Sequence, residues 1–168
     1  MARRYAGTVS VSSPPSRPAL IALGFDFGLR RIGVAAGDTI TQRAAPLTTI
    51  RCSETGPDWD ALVKLVRLHA PHQLVVGSPY NVDGTPGTLA AAADGFAAQL
   101  AMRCALPVAR VDERYSSLEA GAELVARRQS GQRRHRVRKE DIDSLAAAII
   151  LERWLGREAD QAWGAQEE

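Results

Sequence analysis

The chain has 168 residues, of which 45% are hydrophobic and 24% charged, and its formal net charge is +2. This composition excludes a wholly disordered chain, and the length is typical of one domain with a substantial core. Of the 21 basic residues only Lys64 and Lys139 are lysine; arginine suits phosphate recognition, but a GC-rich genome produces the same bias.

The first elements predicted in chain order form a β-hairpin. Residues 1–18 are predicted to be a disordered tail, and the apolar residues 19–25 a buried strand that Asp26 ends. Residues 27–30 make a tight connection, after which Ile32, Val34 and Ala36 alternate with other residues as in a second strand. A third strand is predicted at residues 44–50.

Helices and strands are then predicted to alternate. Apolar residues at helical spacing predict a helix from Trp59 to a stop at Pro71, followed by a strand at residues 73–77 and the turn-rich segment GSPYNVDGTPG. A second helix follows from Leu89, then a strand at residues 107–112 and a helix at residues 116–128 that opens with a capping box. The last helix is predicted to begin near Glu140 and to be interrupted at Gly156.

This order predicts an α/β fold, a mixed five-stranded sheet flanked by helices. The domain is predicted to span residues 19–156, and residues 157–168 to be a polar C-terminal tail.

Other simple site classes find little support in the sequence. Cys52 and Cys104 lack the spacing of a zinc site or a disulfide framework, and the three histidines lie far from acidic or nucleophilic partners. No stretch has the length of a membrane span, and the N-terminal residues lack the apolar segment of a signal peptide. We therefore expect a cytoplasmic protein without a membrane partner.

Three acidic residues stand at the ends of predicted elements. Asp26 ends the first strand, Glu113 ends the last strand, and Asp143 lies in the first turn of the last helix. Strand ends gather at one edge of an open α/β sheet, where converging carboxylates repel one another unless a divalent cation lies between them. Each residue also has a simpler interpretation, as a turn cap, a surface ion pair or a helix-dipole partner. The three together favour a metal site.

Four segments carry a family resemblance: ALGFDFGLRRIGVAAGD, LVVGSPYNVDGTPG, ARVDERYSSLEA and KEDIDSLAAAIILERWL. In order and spacing they resemble the sequence blocks of the YqgF family, also called RuvX, which comprises bacterial pre-16S rRNA nucleases and Holliday junction resolvase homologues. The match covers residues 20–155.

The resemblance implies a ribonuclease H-like fold and metal-dependent hydrolysis of a phosphodiester bond. Carried over residue by residue, it assigns catalysis and metal binding to Asp26, Glu113 and Asp143, with two Mg²⁺ or Mn²⁺ ions bridged by Asp26. It favours the 5′ end of precursor 16S rRNA as substrate, with a branched DNA junction as the alternative.

Some positions depart from the family pattern or compete with the assigned ligands. Leu29 replaces the usual threonine and so removes a hydroxyl near the site. Glu140, on the same helix face as Asp143, is a weaker candidate for outer-sphere help, and Asp112 is an alternative to Glu113. Asp38 is expected to lie too far away and to end its strand.

The segment RRQSGQRRHRVRK, residues 127–139, holds seven of the 21 basic residues and no acid. It leads into the helix that bears Asp143, so we predict that it contacts a nucleic-acid backbone. A solvated linker is the simpler alternative. The predicted substrate contacts are Arg30, Arg31, Arg114, Arg133, Arg134 and Arg136.

Two other functional classes remain open. DFGLRRIG is also similar to the first phosphate loop of sugar kinases and actin-like ATPases, but a second phosphate loop and an adenosine motif are missing from the sequence. A non-catalytic nucleic-acid-binding or transcription-associated module that retains the acidic residues is the third possibility. The sequence leaves the oligomeric state open.

Overall fold

The computed structural model describes residues 18–78, 89–112 and 138–164 of the chain. Outside these ranges lie nearly all of the predicted N-terminal tail, most of GSPYNVDGTPG, the helix predicted at residues 116–128 and most of the arginine-rich segment.

The described residues form a mixed sheet with helices on both faces. The strands are β1 (Ile21–Phe27), β2 (Arg31–Asp38), β3 (Ala44–Ser53), β4 (Gly56–Pro57), β5 (Gln73–Ser78) and β6 (Val108–Asp112). The helices are α1 (Trp59–His69), α2 (Ala90–Cys104) and α3 (Lys139–Gly164). The sheet order is β4-β3-β2-β1-β5-β6, with β1, β5 and β6 parallel and the other neighbouring pairs antiparallel. The α/β class is confirmed.

Two details differ from the prediction. The described sheet has six strands rather than five, because Gly56–Pro57 pairs with Cys52 and Ser53, and a two-residue strand is too short to show a periodic pattern. The last helix continues through Gly156 to Gly164 instead of breaking. An interior glycine costs a helix only about 1 kcal/mol, and the neighbouring Leu155 is buried in the core.

Alternate residues of β1 face different helices. Leu23 and Phe25 pack in a core with α1 and α2, whereas Ala22 packs with Ile150 and Leu151 of α3. Successive side chains of a strand point to opposite faces, so α1 and α2 cover one face of the sheet and α3 covers the other. Burial on both faces explains why β1 reads as a continuous apolar run.

The helices on the first face are positioned by local caps and an aromatic stack. Asp58 accepts a hydrogen bond from the Ala61 N–H at 3.0 Å and so begins α1. In α2, Phe96 stacks on Phe27 with ring centroids 5.1 Å apart and on Trp59 at 5.5 Å. The stack joins the end of β1 to the start of α1.

No described helix is long and apolar enough to cross a membrane.

Helix α3 approaches β1 and β2 closely because glycines of those strands face it. A Cβ at Gly33 would lie 2.0 Å from the carbonyl oxygen of Asp143, and one at Gly24 would lie 2.7 Å from Leu151 Cβ. The facing positions are Gly24, Gly33 and Gly37 on the strands and Asp143, Ala147, Leu151 and Leu155 on the helix. The helix positions recur every four residues and form one ridge. Because the glycines have no side chain, this ridge packs directly against the main chain of the strands.

Asp38 closes the other end of β2. Its carboxylate accepts hydrogen bonds from the main-chain N–H groups of Ile40 and Thr41, at 2.9 and 2.8 Å, and from the Thr41 hydroxyl at 2.7 Å. These bonds, chiefly the two from Thr41, hold the pKa of Asp38 below its ordinary value. Asp38 pairs with Ile21, at the start of β1, so it is structural and lies at the edge opposite Asp26.

We predict that Gly33→Ala lowers the free energy of unfolding by at least about 1–3 kcal/mol, the usual cost of overpacking, because the methyl group overlaps the Asp143 carbonyl. Gly95→Ala is the matched control: no heavy atom lies within 4 Å of the added Cβ in α2. It should raise stability by about 0.5–1 kcal/mol. Urea denaturation measures both, and a Gly33→Ala variant as stable as the wild type would refute the close approach.

We predict that Asp38→Asn lowers the melting temperature at neutral pH. A depressed folded pKa means that the ionised carboxylate stabilises the fold fully above the ordinary pKa of 3.8. This contribution is lost as the pH falls from there through the folded pKa. The gap between wild type and variant should therefore narrow below about pH 3.8 in thermal melts followed by circular dichroism. A gap that stays constant down to about pH 2 would contradict this role.

Candidate active site

Asp26 lies near the end of β1 and points to the α3 face of the sheet. It is half-buried, and its partner across the antiparallel pair is Gly33. Residues directly opposite each other in such a pair have their Cβ directions on the same face, and the Cβ direction of Gly33 is toward Asp143. The strand continues to Phe27, so Asp26 lies inside the sheet rather than just after it.

Asp143 lies directly over the strand residue that pairs with Asp26. Because α3 begins at Lys139, Asp143 is in the second turn of the helix rather than in the first, which contains Glu140 and Asp141. Its main chain packs on Gly33, and paired Cα atoms of antiparallel strands are about 4.5–5.5 Å apart. The fold therefore brings Asp26 and Asp143, far apart in sequence, to neighbouring positions.

An ion pair orients the carboxylate of Asp143. The Nε of Arg31, in β2, donates to Asp143 Oδ2 at 2.7 Å, and the two side chains are only 30% and 23% exposed. The hydrogen bond and the negative charge of Asp143 raise the pKa of Arg31 above its ordinary value. Arg31, which the sequence predicted as a substrate contact, is thus engaged with a candidate catalytic residue.

Glu140 links the start of α3 to β3 through hydrogen bonds. Its carbonyl oxygen accepts from the Thr49 hydroxyl at 2.8 Å, and its carboxylate accepts from Arg51 at 3.4 Å. Arg51 is the β3 partner of Arg31, so two arginines lie side by side at this edge. Sequence reasoning missed Arg51, because only the strand register shows that it adjoins Arg31.

Of the remaining residues that the sequence predicts for the site, some lie in the described ranges of the chain and others lie outside them. Arg30 is exposed in the β1–β2 turn, and its carbonyl oxygen accepts from the Cys52 N–H at 2.9 Å. Strand β6 ends at Asp112, whose main chain pairs with Ser78. Predicted site residues that lie outside the described ranges are Glu113, Arg114, Arg133, Arg134 and Arg136.

The oxygen donors at this edge fit a hard divalent cation. Asp26 and Asp143 supply carboxylates, the ligands that Mg²⁺ and Mn²⁺ prefer. Within residues 18–78, 89–112 and 138–164, no three His, Cys, Asp or Glu side chains gather closely enough to hold a metal ion. The described part of the site thus has two of the three predicted ligands, and Glu113 directly follows β6, which is parallel to β1 and on the same sheet.

Cysteine and histidine have structural environments in the described part of the chain. Cys52 and Cys104 are free and half-buried, and burial raises the pKa of both thiols. His72 Nδ1 accepts a hydrogen bond from the Ile21 N–H at 3.2 Å, next to the start of β5.

The chain matches the family model described as "RuvX: Holliday junction resolvase" over residues 20–157. A Coxiella burnetii protein named "Putative pre-16S rRNA nuclease" is 42% identical over 142 residues, which cover 84% of this chain and 96% of that protein. A Legionella pneumophila protein of the same name is 44% identical over 138 residues, with 82% and 96% covered.

The solved structure of Thermus thermophilus RuvC in complex with a Holliday junction substrate is similar in fold. Its TM-score is 0.52 at 16% identity, and the alignment covers 83% of this chain and 96% of that chain. The fold is therefore ribonuclease H-like, as the sequence resemblance implied. Since the family model spans most of the chain and the curated relatives exceed 40% identity, the chain belongs to the RuvX family.

Proposed function

We propose that the protein is a metal-dependent nuclease that hydrolyses phosphodiester bonds. The observation that carries this proposal is the placement of Asp26 beside Gly33 in the sheet and of Asp143 directly over Gly33. The names of the relatives, which describe a nuclease and a junction resolvase, support it.

Asp26, Asp143 and Glu113 would hold the cation. When bound, one or two Mg²⁺ or Mn²⁺ ions would activate water as the nucleophile and stabilise the charge on the leaving oxygen. The chain's own contribution is to hold the carboxylates in place. Arg31 holds the carboxylate of Asp143 through Oδ2.

Arg31 acts as a positioning residue in this scheme. A carboxylate held by a guanidinium keeps its orientation, which favours metal binding. Arg51 and Glu140 form a second ion pair between the sheet and α3, next to that of Arg31 and Asp143. Arg30 is exposed in the turn after β1 and is proposed to contact a phosphate of the substrate.

For the substrate we propose the 5′ end of precursor 16S rRNA, in the cytoplasm. The relatives that share more than 40% of their residues with this chain carry the pre-16S rRNA name. A four-way DNA junction is the alternative, supported by the description of the family model. Symmetric cutting of a junction needs a two-fold dimer, so the oligomeric state bears on the choice.

The Asp26→Asn variant tests the catalytic assignment. The amide keeps the shape of the side chain but removes the charge that binds the cation, so cleavage of precursor rRNA with Mn²⁺ or Mg²⁺ should fall at least about 100-fold. Gel analysis of end-labelled RNA measures the rate, and circular dichroism checks the fold. The control Asp38→Asn changes the same residue type at the opposite edge and should cleave normally.

Matched RNA and junction DNA substrates separate the alternatives. Shortening of the rRNA precursor supports the proposal, whereas paired symmetric cuts in the junction with intact RNA would favour the resolvase. Binding of either substrate in chelator, without cleavage in any metal, would indicate a non-catalytic module. An Asp26→Asn variant that cuts at the wild-type rate would reject the site.

The arginine-rich segment makes a separate prediction. Replacing Arg133, Arg134 and Arg136 with serine should weaken binding and reduce the slope of log K against log salt. The reduction should be about 0.9 for each duplex phosphate that the variant no longer neutralises, or about 0.7 for each phosphate of a single strand. Fluorescence anisotropy across a salt series measures both quantities. The melting temperature should change little, and an unaltered salt slope would identify the segment as a solvated linker.

A further inference from the structure

A second basic surface lies on the opposite face of the sheet from α3. An open groove of about 430 Å³ lies along α1 and is bordered by one residue of α2, Arg103. Its lining residues are Trp59, Asp60, Val63, Lys64, Arg67 and Arg103. Three of the six are cationic and one is acidic, so the groove carries a net positive charge. It contains none of the residues assigned to the metal site.

The wall of the groove holds one arginine in a fixed orientation. The guanidinium carbon of Arg103 lies 4.6 Å from the centroid of the Trp59 ring. Trp59 stacks in turn on Phe96, with an interplanar angle of 25°. Arg103 also donates to Gln99 Oε1 at 3.4 Å. A stacked guanidinium loses little further freedom on binding and presents its remaining N–H donors as a planar fork that matches phosphate.

The cations of the groove form no ion pair with the described carboxylates. In residues 18–78, 89–112 and 138–164, no carboxylate lies within 4.0 Å of Lys64, Arg67 or Arg103, although Asp60 lines the same groove. Arg67 and Arg103 occupy the last turns of α1 and α2, where the helix dipole favours a cation. The dipole does not account for Lys64, which precedes the last turn, or for the convergence of all three on one groove.

The groove is connected to the carboxylate edge by the aromatic stack. Phe27 is the residue after Asp26, and it stacks on Phe96, which stacks on Trp59. Phe27, which follows the candidate metal ligand Asp26, is therefore connected to Trp59 in the groove wall by two ring contacts. The Trp59 end of the groove therefore lies at the same end of the sheet as Asp26, on the opposite face.

We propose that this groove binds the sugar-phosphate backbone of a nucleic acid at a point beyond the cleavage site. The identity of the ligand rests on the proposed nuclease function. Cations that form no ion pair with a described carboxylate, together with a stacked arginine fork, are features that bind phosphates without reading the base. The ring of Trp59 is already in contact with both Phe96 and Arg103, so it supports the arginine rather than stacking on a base.

The test compares the double variant Lys64→Gln, Arg67→Gln with the control Arg43→Gln, Arg157→Gln, which removes the same charge from exposed positions away from the groove. Anisotropy of short and long fluorescent single-stranded RNAs is measured in chelator across a salt series. The groove variant should bind the long RNA about tenfold more weakly, with a salt slope smaller by about 1.4 for two phosphates. Its affinity for a short RNA that spans only the carboxylate edge, and the control's affinity for both RNAs, should match the wild type.

The outcomes separate the groove from the nuclease. Equal loss of affinity in the control, or wild-type affinity of the groove variant for long RNA, would overturn the groove proposal even if the protein cleaves RNA. A lowered melting temperature with unchanged RNA binding would show that the cations serve only the helix ends, which also overturns it. Loss of long-RNA binding in the groove variant of a protein that does not cleave would reject the nuclease and leave the groove standing.

Discussion

The contact between α3 and the glycines of β1 and β2 determines the geometry of the site. A helix normally stands off a sheet by the length of the side chains between them, but the carbonyl of Asp143 comes within 2.0 Å of where a Cβ of Gly33 would lie. This main-chain approach brings the Asp143 side chain down to the level of Asp26. Any larger residue at Gly33 would lift the start of α3 and separate the two carboxylates, so packing and candidate catalysis both depend on one residue having no side chain.

Ion pairs and hydrogen bonds then set the orientation of α3 at its N-terminal end. Arg31 binds Asp143, and Thr49 and Arg51 bind Glu140. These partners come from β2 and β3, which hold the helix from the side away from β5 and β6. The parallel strands are left to present their carboxyl ends, where ligands usually bind in α/β sheets. The antiparallel strands therefore supply the hydrogen bonds and the ion pairs that position the start of the helix.

The two faces of the sheet have different tasks in the proposed mechanism. The α3 face carries Asp26 and Asp143 and is packed closely at Gly24 and Gly33, whereas the core of the other face contains the aromatic side chains Phe25 and Phe96. The aromatic stack from Phe27 to Trp59 gives the second face a rigid wall beside its basic groove. A nucleic acid bound at both places would contact a rigid frame, which lowers the ordering cost of binding.

Local pattern predicted most of the elements correctly, and it is also the source of the proposed metal site. Alternation, helical spacing and the apolar run of β1 predict the α/β class, and the carboxylates of Asp26, Glu113 and Asp143 at element ends together favour a metal site. Only the tertiary structure shows contacts between residues that are distant in sequence. These are the pairing of Asp26 with Gly33, the packing of Asp143 on Gly33, and the contact of Arg51 with Glu140. The tertiary structure also shows the strand β4, which is too short for its two residues to form a periodic pattern. It shows that α3 continues through Gly156, because the burial of Leu155 stabilises the helix more than the glycine destabilises it.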